Sequence, residues 1–337
     1  MLLTIIATAA VAVIVTGLLG LIVIPKLRKL HFGQTILDIG PIWHKKDKQG
    51  TPTMGGVMFI IGTVAAVTVG LVLLLTNGII GYDDLSLREI TNVVSVTAGA
   101  FFFGFIGFLD DFIKVKKKQN EGLTPTQKII MQILVIAAFF TARVLSGDTN
   151  TIIKIPFLGG IDLWYFYYII MGLGILYIVN AVNLNDGIDG VCSSVTFVYC
   201  IAFAVIAAML GHDGLTVVAV AAAGGCLGFL IWNWHPAKVF MGDTGSMFLG
   251  GIVALIGIAM HTEIPMIIAA GVYIWEALTV LIQMIYFKLT HGKRLFKMTP
   301  IHHSFEIRGW KEVKIVIVFS AIGAVAGAVA VLLINGL

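Results

Sequence analysis

Long apolar runs separated by short polar stretches dominate the hydrophobic pattern of this chain. A membrane-spanning helix needs about 20 mostly apolar residues, and ten segments have approximately this length. They cover residues 2–24, 54–76, 90–109, 128–146, 163–182, 191–211, 214–234, 246–262, 264–287 and 313–335. The pattern predicts an all-α integral membrane protein with about ten transmembrane helices, in one polytopic domain over residues 1–337.

The composition supports a membrane rather than a soluble fold. The chain is 58% hydrophobic and 12% charged, whereas soluble domains carry about 25% charged residues. The first apolar run lacks a basic region before it and exceeds the length of a signal-peptide core. We therefore expect it to be the first transmembrane span, which the mature protein retains. Cys192, Cys200 and Cys226 lie in apolar runs without metal-ligand or disulfide spacing, and we interpret them as packing residues.

The basic residues predict the orientation. Nineteen of the 22 Lys and Arg residues fall in loops on one side of the predicted spans, and only Arg88, Arg143 and Lys154 fall on the other. Basic loops stay in the cytoplasm, so an even number of spans places both termini outside. The polar motifs fall on the basic side, which indicates an enzyme with its active site at the cytoplasmic face. A transporter more often places ionisable residues near the midplane, and Glu276 is the one such residue.

The first polar motif ends the third apolar run with two adjacent aspartates, Asp110 and Asp111. Lys114 follows Asp110 by four residues, so the two can pair on one helical face. Asp110 would then be available as base, nucleophile or metal ligand, although acids and lysines also occur at ordinary solvated helix ends. We expect Lys116–Lys118 to bind anionic lipid headgroups.

The second motif repeats a polar side chain every three residues, which predicts one side of a helix or tight turn. Its members are Asn180, Asn183, Asp186 and Asp189. Asparagine can recognise a base edge or a ribose, and aspartate can hold a metal or accept from a base N–H. Gly187 and Gly190 allow close backbone approach. A polar loop with turn chemistry is the alternative.

The third motif places Asp243 between two glycines just before the eighth span. Ser246 is predicted to cap that helix, whose free N–H groups would favour phosphate. Phe240 could stack on a flat ring. An ordinary capped turn is the alternative.

Aspartates from separate loops suit Mg²⁺, because this ion prefers oxygen ligands and is commonly bound by one or two carboxylates together with the phosphates of a substrate. Zinc is disfavoured, because the chain has no cysteine cluster and no His-x-x-x-His pair. His302 and His303 are adjacent and point in different directions on regular structure. Near a phosphate they could donate hydrogen bonds or charge, although a histidine pair in a loop is often unremarkable.

Five motifs together resemble those of the phospho-N-acetylmuramoyl-pentapeptide transferase family, within the superfamily of polyprenyl-phosphate N-acetylhexosamine-1-phosphate transferases. The resemblance covers nearly the whole chain, and the order, spacing and sidedness of the motifs agree. The motifs occupy residues 50–56, 110–114, 180–190, 238–246 and 300–303. The Thr-Pro-Thr-Met-Gly-Gly segment and a lysine at position 114 are similar to the muramoyl branch.

The resemblance implies a reaction in the bacterial cytoplasmic membrane. UDP-N-acetylmuramoyl-pentapeptide and undecaprenyl phosphate would give lipid I and UMP with Mg²⁺, the first membrane step of peptidoglycan synthesis. The expected partners are these two substrates and the lipid bilayer, with a possible homodimer and no nucleic acid. The alternatives are a related transferase that uses another UDP-N-acetylhexosamine, and a transporter.

The resemblance also implies residue roles. Asp243 would be the principal Mg²⁺ ligand with Asp111 beside it, and Asp110 would deprotonate the lipid phosphate. The implied nucleoside contacts are Asn183, Asp186 and Phe240, and Asn180 and Asp189 belong to the same expected substrate site. The implied phosphate, sugar or inhibitor-pocket contacts are Lys48, Thr53, Lys114, Lys128, Asn233, Gln283, His302 and His303.

Two positions depart from the family pattern. Ser304 stands where a third consecutive histidine is common, so a third imidazole cannot be essential here. Asn185 replaces a common threonine, and we expect this exchange between polar residues to be mild.

Overall fold

A computed structural model describes residues 1–30, 48, 50–79, 84–117, 119 and 121–336. Within these ranges the chain is helical apart from loops, one short hairpin and a terminal 3-10 turn at Ile334–Gly336. The helices are α1 (Leu2–Lys29), α2 (Gly56–Thr76), α3 (Asp84–Lys117), α4 (Pro125–Leu145), α5 (Phe166–Asn185), α6 (Val191–Met209), α7 (Asp213–Asn233), α8 (Gly242–Ala259), α9 (Glu263–Ala269), α10 (Gly271–Leu289), α11 (Ile301–Ile307) and α12 (Glu312–Leu333).

The prediction of about ten spans is confirmed, because ten of the described helices are long and apolar enough to cross a membrane. Their outer faces expose large apolar side chains such as Leu21, Ile133 and Val325. A helix can face lipid in this way because its backbone polar groups are satisfied internally. The described part of the chain is therefore a multi-pass helical membrane protein.

Helix α8 lies at the centre of the bundle, and almost all its residues are buried. It packs against α3 and α5, while α7 packs against α1, α2 and α6. A seam of small residues brings α1 close to its neighbours, since Thr4, Thr8, Ala12 and Thr16 are buried at intervals of four. Such small residues allow close helix packing where lipid provides no hydrophobic driving force.

The all-α fold class is confirmed among the described residues, with one short hairpin in which β1 (Ile152–Ile155) pairs antiparallel with β2 (Gly159–Asp162). Two sequence-based details are wrong. The segment 264–287 is not one helix but two, since α9 ends at Ala269 and α10 begins at Gly271. Ser246 does not cap α8, which begins at Gly242; its hydroxyl donates to the Gly242 carbonyl one turn back, at 3.0 Å.

The interpretation of the cysteines is confirmed, as all three are buried free thiols. Lys45, Lys46 and Lys118, which contributed to the predicted orientation and lipid contacts, lie outside the described residues.

Candidate active site

Three carboxylates from two helices meet at one end of the bundle. Helix α3 continues to Lys117, so Asp110 and Asp111 lie on its last turns rather than in a loop, and Asp243 lies in the first turn of α8. One oxygen from each aspartate lies within 4.8 Å of the others. Gly107 permits this approach, because a Cβ there would lie 2.1 Å from the Asp243 carbonyl oxygen. The first and third motifs therefore form one site.

Asp111 joins α3 to the start of α8. Its Oδ2 accepts from the Thr244 N–H at 2.9 Å and from the Thr244 hydroxyl at 2.7 Å. Its Oδ1 accepts a longer bond, 3.3 Å, from the Asp243 N–H. Gly242, with φ of 70°, turns the chain closely beneath this carboxylate. A carboxylate at a helix N-terminus also interacts favourably with the helix dipole, so Asp111 fixes the backbone that carries Asp243.

Two lysines bridge the other two aspartates. Lys114 Nζ lies 2.6 Å from Asp110 Oδ2 and 3.1 Å from Asp243 Oδ2. Lys128, on α4, makes the same two contacts at 3.0 and 2.9 Å. The predicted pairing of Asp110 with Lys114 is thus present, and the second lysine completes it. The other carboxylate oxygen of Asp110, Oδ1, accepts a hydrogen bond from the Leu123 N–H at 2.7 Å.

The charges of this cluster favour a cation. With their usual charges, the three aspartates and two lysines leave one negative charge uncompensated. Asp186, at the end of α5, lies in the same negative field. Burial raises the pKa of its carboxyl well above the usual range, and the charges of Asp243 and Asp111 raise it further. An all-oxygen ligand set with excess negative charge suits a hard divalent cation.

Asn183 is directed at this cluster rather than at free space. Its amide nitrogen donates to Asp243 Oδ1 at 2.9 Å and to the Ser246 hydroxyl oxygen at 2.8 Å. Asn180, one turn earlier, donates to Gln132 Oε1 at 2.9 Å and to the Leu176 carbonyl at 2.7 Å. The three-residue repeat therefore does not present one uniform surface: Asn183 supports the carboxylate centre, and Asn180 pairs with α4.

Asp189 belongs to a second ionic cluster. Its Oδ1 lies 2.9 Å from Lys48 Nζ, and its Oδ2 accepts from the Ala237 N–H at 3.0 Å and lies 3.0 Å from His235 Nδ1. Lys48 also contacts Glu312 at 2.7 Å. Although burial acts in the opposite direction, Lys48 holds the pKa of Asp189 below its usual value. Glu312 and Asp189 likewise raise the pKa of Lys48 against the effect of its own burial.

Asp189, His235 and Glu312 have the spacing of a possible metal site. With their usual charges, Asp189, Glu312 and Lys48 also leave one negative charge, but this cluster offers an imidazole as its third ligand, whereas Mg²⁺ prefers oxygen ligands. The all-aspartate cluster is therefore the better candidate for a metal among the described residues. His235 and Glu312 were missed by the sequence analysis, because no motif spacing connects them to Asp189.

Several predicted contacts order the loops around the site. Asn233 accepts from the Gly190 N–H at 3.1 Å and donates to the Val239 carbonyl at 2.9 Å. The backbone N–H of Phe240 donates to the Pro52 carbonyl at 2.8 Å. This bond holds the Phe240 loop beside Thr53, whose hydroxyl would lie 2.7 Å from a Cβ at Gly242. These residues join the loop after α7 to the segment before α2.

The last group lies where α10 and α11 approach the loop after α5. Gln283 accepts from the Leu295 and Phe296 N–H groups at 3.1 and 2.9 Å and lines a cavity of about 350 Å³ with the basic residues Lys288 and Arg294. The rings of His302 and His303 are 4.2 Å apart at 64°, so the expected difference in direction is present. A Cβ at Gly187 would lie 2.1 Å from His302 Nε2. The histidines thus lie against the Asp186 turn.

The family comparisons agree with this arrangement. A family model described as glycosyl transferase family 4 matches residues 93–261. A second, described as phospho-N-acetylmuramoyl-pentapeptide-transferase signature 1, matches residues 48–60. The first match contains all three aspartates of the central cluster, and the second contains Lys48 and Thr53.

Curated relatives match most of the chain, and each of the following is named phospho-N-acetylmuramoyl-pentapeptide-transferase. The protein of Desulforamulus reducens is 43% identical over 311 residues, which cover 91% of this chain and 89% of the relative. That of Acetivibrio thermocellus is 45% identical over 306 residues, or 90% and 87% of the two chains. That of Desulforudis audaxviator is 39% identical over 342 residues, or 99% of each.

Proposed function

We propose that this chain synthesises lipid I, because it belongs to the phospho-N-acetylmuramoyl-pentapeptide-transferase family. It would transfer phospho-N-acetylmuramoyl-pentapeptide from the UDP-linked donor to undecaprenyl phosphate and release UMP. The observation that carries this proposal is the cluster of Asp110, Asp111 and Asp243 with two lysines at one end of a membrane bundle. There a water-soluble nucleotide can meet a lipid phosphate.

The reaction needs one bond to form and one to break. An oxygen of the lipid phosphate attacks the phosphorus attached to the sugar, and the bond from that phosphorus to the oxygen of UMP breaks. We assign Asp110 to accept the proton of the attacking phosphate, because Lys114, Lys128 and the Leu123 N–H hold it in one position. A positioned base contributes about 10²–10⁴-fold to rate. The two lysines would also attract the phosphate charges.

Asp243 is the proposed main ligand of Mg²⁺, and Asp111 would contribute its less engaged Oδ1. The ion would neutralise the charge on the phosphates. The fit is supported by the uncompensated negative charge of the cluster and by its three convergent oxygens. Asn183 would hold Asp243 in place.

Substrate contacts are proposed around this centre. Asn183, Asp186 and Phe240 would contact the nucleoside, and Asp189 would serve the same substrate site by orienting Lys48 towards it together with Glu312. Thr53, Asn180 and Asn233 would shape the pocket walls. Gln283, His302 and His303 would serve the sugar, phosphate or peptide part. We further propose one functional domain in the bacterial cytoplasmic membrane, with the site at the cytoplasmic face, both termini outside and a possible homodimer.

The test is product analysis with purified protein, Mg²⁺, undecaprenyl phosphate and either the muramoyl-pentapeptide donor or UDP-N-acetylglucosamine. We expect UMP and lipid I from the first donor only. Product from the second donor alone would favour the related-transferase alternative. No UMP from either donor, in protein with a native melting transition, would contradict the proposal.

A further inference from the structure

Glu276 is an ionisable residue within a membrane-spanning helix, and the proposed reaction assigns it no role. It lies in α10, and its side chain is fully buried. A buried carboxylate is costly unless it is paired, and ionisable residues inside membrane helices usually have a function. Its partner is His302, whose Nδ1 lies 3.1 Å from Glu276 Oε1.

The pair connects two separate elements. His302 lies in α11, is also fully buried, and is 26 residues from Glu276 along the chain. The neighbouring His303 differs, because its carboxylate neighbour Glu306 lies on the same short helix at 2.6 Å. The bond between Glu276 and His302 therefore links the imidazole of α11 to the membrane helix α10.

The geometry also determines which ring nitrogen faces the site. A carboxylate only accepts hydrogen bonds, so we assign the hydrogen of this bond to Nδ1. Nε2 is buried and has no hydrogen-bond partner among the described residues. It lies against Gly187, where a Cβ would be 2.1 Å away. Gly187 directly follows Asp186, so Nε2 faces the turn beside the carboxylate centre.

We propose that Glu276 is a positioning residue for His302, and that it holds the imidazole so that Nε2 faces bound donor substrate at the Asp186–Gly187 turn. This inference rests on the proposed transferase function. At metal sites, removal of a partner that orients a histidine typically costs about 10–100-fold, and we expect a loss of that order in kcat here. KM for the lipid phosphate should change less.

The test is a double-mutant cycle on UMP release by purified protein. Glu276→Met keeps the length of the side chain and removes the acceptor, whereas Glu276→Gln keeps an oxygen that accepts from Nδ1–H. We expect Glu276→Met to lower kcat about 10–100-fold and Glu276→Gln to restore much of it. Because Glu276 acts through His302, adding Glu276→Met to His302→Gln should cause little further loss.

Thr279→Val is the matched control, since its buried hydroxyl donates to the backbone carbonyl of Glu276, at 2.7 Å, and not to the Glu276 carboxylate. It should leave kcat near the wild-type value. Additive losses in the double variant, or equal losses for Glu276→Gln and Glu276→Met, would overturn the positioning role. A wild-type protein that releases no UMP would instead overturn the proposed function itself.

Gly187→Ala provides a second route if Glu276→Met does not fold. Its added methyl group would press on Nε2 from the opposite side. The loss of kcat should be large in the wild-type background and small in the His302→Gln background. Equal losses of kcat in both backgrounds would show that displacement of the His302 ring does not cause the loss.

Discussion

The replacement Asp111→Asn should destabilise the protein, because Asp111 holds the first turn of α8. Its two oxygens accept three hydrogen bonds from Asp243 and Thr244, and the side chain is 4% exposed. Asparagine keeps one accepting oxygen, but it replaces the other with an NH₂ group that cannot accept a hydrogen bond. Loss of one bond to a charged group costs about 1.5–3 kcal/mol, and loss of a charge at a helix N-terminus costs about 0.3–1 kcal/mol. We therefore expect a destabilisation of about 2–4 kcal/mol.

The assay is thermal unfolding of the detergent-solubilised protein. The entropy of unfolding grows with chain length and is about 0.7 kcal/mol/K for 337 residues. A loss of about 2–4 kcal/mol should therefore lower Tm by roughly 3–6 °C. Thr244→Val removes only the hydroxyl donor and should cause a smaller fall. The double variant should lose less than the sum of both, because the two residues share a bond.

An unchanged Tm for Asp111→Asn would refute this reasoning. If the Mg²⁺ requirement rose at the same time, Asp111 would be a metal ligand without a structural role. Additive shifts in the double variant would show that the Asp111–Thr244 contact does not stabilise α8.

Three further predictions test other parts of the account. Cysteines placed at positions 46, 117 and 154 and treated with an impermeant reagent in intact cells should react only at 154; labelling at 46 or 117 would reverse the orientation. Asp110→Asn should lose about 10²–10⁴-fold in rate while it still binds uridine nucleotide; lipid-independent exchange of labelled UMP into donor, abolished by this substitution, would instead identify Asp110 as a nucleophile. His261 should make stability fall as pH rises, because, although burial acts in the opposite direction, the hydrogen bond that its imidazole donates to Asp148 raises its pKa. Its contribution to stability is therefore complete below the unfolded pKa of about 6.5 and is lost as pH passes the higher folded pKa. His261→Gln should flatten the Tm profile above pH 6.5, and an unchanged profile would exclude His261 as the cause.

Much of the fold could be predicted because membrane spans depend on local composition. Each of the ten spans is a long apolar run, and the runs indicate helices without knowledge of their neighbours. The break at Ala270 and the hairpin at Ile152–Asp162 were missed. The break at Ala270 lies inside an apolar run, and the hairpin is a short, largely exposed feature between two spans, so the hydropathy pattern does not predict either of them.

The site was predictable to the extent that its residues share local motifs. The pairing of Asp110 with Lys114 follows from helical spacing, and it is present in the structure. The roles of Lys128, Glu312 and His235 depend on contacts between distant segments. Glu276 was noticed as an exception, but only the fold places it against His302. One sequence contains no direct information on such pairs.

The central claim is that the aspartate cluster forms one metal-dependent transfer site, and Asp243→Asn tests it most directly. The substitution keeps the shape of the side chain and removes one of the two negative charges that contact Lys114 and Lys128. The measurement is UMP release as Mg²⁺ is titrated, with wild type and Thr279→Val alongside. The account predicts that Asp243→Asn loses turnover at every limiting Mg²⁺ concentration while the control follows wild type. Near-normal turnover of Asp243→Asn at limiting Mg²⁺ would contradict it.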